Sequence, residues 1–130
     1  MQPTKNKINW FEIPTNDINK SKAFYEAIFD IKMEYYEQID EKLAFFPWNG
    51  DYKVNTGTLI EREGHKPSKD GVMVFFDANP DIDLVLNRAI KLGAKIIHAK
   101  KDVGVNGYLA VISDLDDNSI GLHANKSKDL

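Results

Sequence analysis

Glu12 and His123 are the two ionisable residues that strand periodicity sends into a cleft, so the chemistry of this chain is read from them outward. Alternate side chains of a strand share a face. In Ile8-Asn9-Trp10-Phe11-Glu12-Ile13-Pro14, Phe11 and Ile13 form one face and Ile8, Trp10 and Glu12 the other. A helix lying on the sheet needs the apolar pair, which leaves Trp10 and Glu12 for the opposite side. In Ser119-Ile120-Gly121-Leu122-His123-Ala124 the same rule gives Ile120 and Leu122 to the helix and Ser119, Gly121 and His123 to the cleft. A carboxylate beside an indole loses hydration and must regain it from a partner or a ligand. An imidazole nearby could act as acid or electrostatic partner to a carboxylate base. The structural alternative is a Glu12 satisfied by backbone or Tyr donors at a strand end, with His123 idle at the domain edge.

Composition narrows the remaining choices. Among 130 residues there is no cysteine, hence no disulfide, thiol nucleophile or thiolate metal site, and only three histidines, His65, His98 and His123. The 17 Lys+Arg against 20 Asp+Glu leave a net charge of −3, which gives no general attraction to nucleic-acid phosphates. No apolar run approaches the ~20 residues of a membrane span, and the opening Met1-Gln2-Pro3-Thr4-Lys5-Asn6-Lys7 lacks the apolar core of a signal peptide. A cytoplasmic protein with no nucleic-acid or membrane partner is expected.

The elements that must position these residues come in two rounds. The first is a strand over 8–14, cap chemistry at Asn16 or Asp17, and a helix over 19–29 with Lys20, Ala23, Phe24, Ala27 and Ile28 on one stripe. Strands over 31–39, 42–48 and 56–61 follow, with Asn49-Gly50 as a turn. Glu63-Gly64-His65-Lys66-Pro67-Ser68-Lys69-Asp70-Gly71 reads as a linker. The second round has a strand over 72–76, a helix over 81–92 built on Ile82, Val85, Leu86, Ala89 and Ile90, and strands over 95–99, 108–113 and 119–124. Asp17-Ile18 answers Asp81-Ile82 (81 − 17 = 64), and Leu43-Ala44 answers Leu109-Ala110 (109 − 43 = 66).

The expected fold is therefore α+β: one domain over 1–130, made of βαβββ modules over 8–62 and 71–124 whose curved mixed β-sheet surrounds a cleft. Alternation in the second module sends Met73 and Phe75 to the helix and Val72, Val74 and Phe76 to the cleft. Phe46, Trp48 and Tyr108 join Trp10 and Phe76 as its expected aromatic lining.

Trp10-Phe11-Glu12-Ile13-Pro14, Asp17, Lys22-Ala23-Phe24-Tyr25 and Phe29 resemble the opening of the vicinal oxygen chelate superfamily, which includes glyoxalase I, bleomycin-resistance proteins and extradiol dioxygenases. Leu92-Gly93-Ala94-Lys95, then Asp114 and Asp117-Asn118-Ser119-Ile120-Gly121-Leu122-His123, are similar to its closing strands. Gly57-Thr58-Leu59-Ile60, Lys66-Pro67-Ser68 and Asp70-Gly71 resemble its small glyoxalase/bleomycin-resistance branch. The resemblance implies paired βαβββ modules, a homodimer, and a divalent metal held by one residue on each first strand and one on each last strand. Those positions fall here on Trp10, Val72, Gly121 and either Gly57 or Thr58, a set without the oxygen and nitrogen donors of an octahedral site. A relocated set would have to use Glu12, His123 and Glu61. No metal or other cofactor is expected.

Two functions follow from the resemblance. One is a metal-free binder of a small molecule, with Trp10, Phe46, Trp48, Val72, Val74, Phe76, Tyr108 and Gly121 as lining. The other is a glyoxalase-type lyase or isomerase acting on a small carbonyl compound, with Glu12 as base and His123 as its partner; its oxyanion lacks an evident donor.

Overall fold

The computed structural model describes residues 7–47 and 56–126. Its first module runs β1 (Trp10–Pro14), α1 (Ile18–Phe29), β2 (Glu34–Gln38), β3 (Glu41–Phe45) and β4 (Thr56–Arg62). Its second runs β5 (Phe75–Asp77), α2 (Ile82–Lys91), β6 (Lys95–Asp102), a 3-10 turn (Gly104–Asn106), β7 (Tyr108–Ser113) and β8 (Ser119–Ala124). Each module forms its own four-stranded mixed sheet, ordered β1-β4-β3-β2 and β5-β8-β7-β6. These are the two expected βαβββ units. No helix among the described residues is long and apolar enough to cross a membrane.

Local chemistry fixes both helices. Asp17 caps α1 by accepting from the Lys20 N–H at 3.1 Å, and Glu61 of β4 takes the Ile18 N–H at 2.9 Å. Asp81 caps α2 through the Asp83 N–H at 2.9 Å. The buried stripe of α1 is Ile18, Ser21, Phe24, Tyr25 and Ile28; Phe24 and Ile28 are buried as expected, whereas Lys20, Ala23 and Ala27 are exposed. Tyr25 turns the helix this way because its fully buried ring packs on Phe46 and Phe76 while its hydroxyl reaches Asp114. In α2 the expected stripe is buried except for Ile90.

Register then sorts the faces. In the first sheet Ile13 and Ala44 flank Leu59, and all three enter the core under α1. Glu12 and Thr58 are paired on the opposite face. In the second sheet Phe76 and Ala110 flank Leu122 on the core side, while Phe75 and Val111 flank Gly121 on the other. The expectation for β8 and β1 agrees with this; that for β5 is reversed. Phe76 lies in the core and Phe75 faces away from it.

The reason is one residue of turn. The cap Asp17 comes four residues after the core-facing Ile13, whereas Asp81 comes five after the core-facing Phe76. A slip of one residue sends every side chain of a strand to the other face. The strand is also shorter than expected, starting at Phe75, with Val72 97% exposed before it.

The modules are clasped by the β7–β8 turn. Asp114 accepts from the Tyr25 hydroxyl (2.7 Å) and from the backbone N–H groups of Asp116 and Asn118 (2.9 Å each). Asn118 donates from Nδ2 to Asp114 (3.0 Å) and to the Pro14 carbonyl (2.8 Å). Asp116 accepts from the Thr15 hydroxyl at 2.6 Å and the Asn16 N–H at 3.0 Å. Burial raises the Asp114 carboxyl above its ordinary pKa, and burial followed by the nearby Asp114 charge raises the Tyr25 phenol.

Candidate functional site

β1 and β5 are edge strands of their separate sheets, and residues of both modules come together along a seam between them. Hollows open along this seam, and Phe11 and Val74 line both of those described below. The larger, about 490 Å³, is walled by Phe11, Phe46 and Pro47 of the first module, Phe29 and Ile31 at the end of α1, and Val74, Phe75 and Phe76 of the second, with Asp77 and Asn79 as its polar members. Asp77 Oδ1 accepts from the Asn79 backbone and side-chain N–H groups at 2.8 and 2.7 Å.

Aromatic packing builds these walls. Phe76 is the hub, 5.0 Å from Phe29, 5.3 Å from Phe46, 5.7 Å from Tyr25 and 6.0 Å from Phe11. Gly57 makes this possible. A Cβ there would lie 2.4 Å from the Phe11 ring, so glycine alone lets Phe11 and Phe46 meet across β4 at 5.5 Å. A second phenylalanine lies over a glycine in the other sheet, where a Cβ on Gly121 would come within 2.3 Å of Phe75 Cδ2.

The smaller hollow, about 230 Å³, is bounded by Glu12, Ile13 and Pro14, by Lys66, Ser68, Asp70 and Val72 of the linker, and by Asn118, Ser119 and Ile120. The linker is held over it by the Ser68 N–H on Asn118 Oδ1 (3.0 Å) and by Ser119 Oγ on the Lys69 carbonyl (2.9 Å). Glu12 is exposed, not walled in. Its Oε1 lies 3.4 Å from Arg62 Nη2 and 3.5 Å from His65 Nε2. Arg62 is drawn more closely to Glu41, 2.7 Å away, which holds that carboxyl below its ordinary pKa.

The candidate residues therefore divide among several places. Phe46, Val74 and Phe76 line the larger hollow, and Glu12, Val72 and Val74 the smaller. Trp10, 43% exposed, packs edge-on against Phe45 at 5.8 Å. His123 lies on the same sheet face as Gly121, with Nε2 2.7 Å from the Asn106 carbonyl oxygen, and shares no contact with Glu12. Tyr108 packs on the core side under Lys100, whose Nζ is 4.5 Å from its ring centre. Trp48 lies outside the described residues. Phe75, Phe29 and Ile31 were not among the expected lining. Counting back from the helix caps does not reveal this, because Phe75 precedes Asp81 by six residues just as the core-facing Phe11 precedes Asp17.

The positions assigned to a metal by resemblance do not fit one. Trp10 and Val72 have no lone pair to give, and the space beside Gly121 is filled by the Phe75 ring. Of the pair left open, Gly57 is covered by Phe11, while the Thr58 hydroxyl lies 2.9 Å from the Ala44 carbonyl and 2.8 Å from that of Leu59. The relocated set does not assemble, because Glu61 caps α1 on the core face of its sheet and Glu12 and His123 hold separate partners. Among the described residues no three His, Cys, Asp or Glu side chains converge on a point.

No protein of curated function matches the chain. Glyoxalase I from Zea mays, in its V278E form, superposes with a TM-score of 0.71 at 21% identity over 90% of this chain, which spans 45% of that one. TnmS3, an antibiotic binding protein from Streptomyces sp. CB03234, superposes at 0.67 with 20% identity over 96% of this chain and 100% of its own. FosX, a fosfomycin resistance protein from Listeria monocytogenes, does so at 0.65 with 20% identity over 95% and 94%. At such identities these likenesses establish the shared fold. The family model for the Glyoxalase/Bleomycin resistance protein/Dioxygenase superfamily matches residues 7–122, and the chain belongs to that superfamily.

Proposed function

We propose that this protein binds a small organic molecule in the larger seam hollow without the aid of a metal ion. The observation that carries the reading is the hollow itself: about 490 Å³, walled by five phenylalanines from both modules, with one carboxylate and one amide among its lining. Small-molecule sites commonly fall between roughly 300 and 1,000 Å³ and combine apolar walls with a few polar groups. TnmS3 and FosX, described by antibiotic binding and fosfomycin resistance, lend the reading support by fold kinship. The lyase alternative needs Glu12 and His123 to act on one substrate, and their separate partners favour binding over catalysis. A homodimer accompanies the proposal on the strength of the resemblance, and sedimentation of the purified chain tests it.

The direct test is a thermal-shift screen of apolar and amphiphilic compounds, with and without a chelator. Binding in this hollow predicts compounds that raise the melting temperature equally in both conditions. A screen without hits, or hits abolished by the chelator, would overturn it. Glu12→Gln separates the two hollows. Its surface ion pairs are worth about 0–1 kcal/mol, so the fold persists, and ligand response in the larger hollow stays intact. Loss of that response would move the site to Glu12 and revive the base.

A further inference from the structure

We propose that Phe75 is an open stacking platform that selects planar aromatic ligands; this rests on the binding reading above and names the ligand class of the same hollow. Phe75 is the wall of that hollow with the most unusual surroundings. Its ring occupies the space where a side chain at position 121 would begin, within 2.3–2.6 Å of a Cβ built there. Val111, buried, flanks Gly121 on the same sheet face, so the ring rests on a solid floor. Yet the residue is 48% exposed, and no ring among the described residues packs against it.

The first module shows what completes such an arrangement. Phe11 lies over Gly57 in the same way, and there Phe46 and Phe76 cover it at ring-centre distances of 5.5 and 6.0 Å. These are the separations at which aromatic pairs gain from their quadrupoles beyond simple burial. At Phe75 the floor is present and no ring among the described residues covers it. A planar ligand entering the hollow supplies that cover. An aliphatic ligand of equal size fills the same volume without the ring–ring contribution, which corresponds to a preference of about fivefold.

The test uses the full chain, labelled for NMR, and two neutral probes of equal heavy-atom count, 2-naphthol and decahydro-2-naphthol. The proposal predicts tighter binding of 2-naphthol by about fivefold, with upfield shifts of the Phe75 ring protons. Phe75→Leu should bring the two probes within about twofold of each other, and Phe75→Tyr should restore the preference. Equal binding to the parent chain, unmoved Phe75 protons, or a preference surviving in Phe75→Leu would overturn the platform and leave the hollow standing. Failure of both probes to bind the parent chain would instead remove the hollow, and the platform with it. The exposure of Phe75 makes its variants safe for folding, and a thermal melt of each verifies this.

Discussion

Phe11 over Gly57 and Phe75 over Gly121 are the same pair of residues used in opposite ways. Each member lies 64 residues from its counterpart (75 − 11 and 121 − 57), so the repeat matches them in sequence. In space they do not correspond. Phe11 points under α1 into an aromatic core, while Phe75 points away from its sheet's core. The position equivalent to Phe75 in the first module, judged by register, is Glu12, paired with Thr58 as Phe75 is with Gly121. One additional residue between β5 and α2 made that exchange. At matching register positions the two modules thus present a carboxylate in one and a phenyl ring in the other, with the same strand order.

Substitutions test the contrast in order of size. Phe11→Ala should destabilise most, by about 3–5 kcal/mol, because it empties space among Phe46, Phe76 and the core. Gly57→Ala should follow at about 1–3 kcal/mol, since the added methyl meets a ring that its neighbours hold in place. Phe75→Ala should cost less than about 1 kcal/mol, as a half-exposed ring leaves no closed cavity. Gly121→Ala should be the mildest at about 0.5 kcal/mol, because the Phe75 ring can swing into solvent, although that swing should also weaken any aromatic ligand. Urea unfolding of the four variants measures the series. Equal losses for Gly57→Ala and Gly121→Ala would mean that Phe75 is as firmly held as Phe11, and the contrast would collapse.

Much of the architecture was legible because it rests on periodicity and caps. Asp17 and Asp81 mark the helix starts, and the alternation of β1 and β8 places Trp10, Glu12, Gly121 and His123 away from the helices. Parity of β5 was not legible from its own residues, because Val72-Met73-Val74-Phe75-Phe76 is apolar on both faces and offers no alternation to read. The surroundings of Glu12 were hidden for a different reason. Arg62 and His65 are about fifty residues away in sequence, and only the parallel pairing of β1 with β4 brings the first of them near. Tyr25 was equally opaque, since its partner Asp114 belongs to the other module.

The clasp through Asp114, Asp116 and Asn118 has a consequence for how the chain could be cut. The modules are tied by Tyr25, Thr15, Asn16 and Pro14 directly to the β7–β8 turn, independently of the covalent path between β4 and β5. Gly64 and Gly71 bracket that path with backbone angles of +87° and +97° and nothing within 4 Å of a Cβ at either. A protease nick there would sever connectivity and leave the docking surface whole. The peptide bond's contribution is then mainly one of effective concentration, keeping the halves together at a millimolar level that two separate fragments would have to supply by their own abundance.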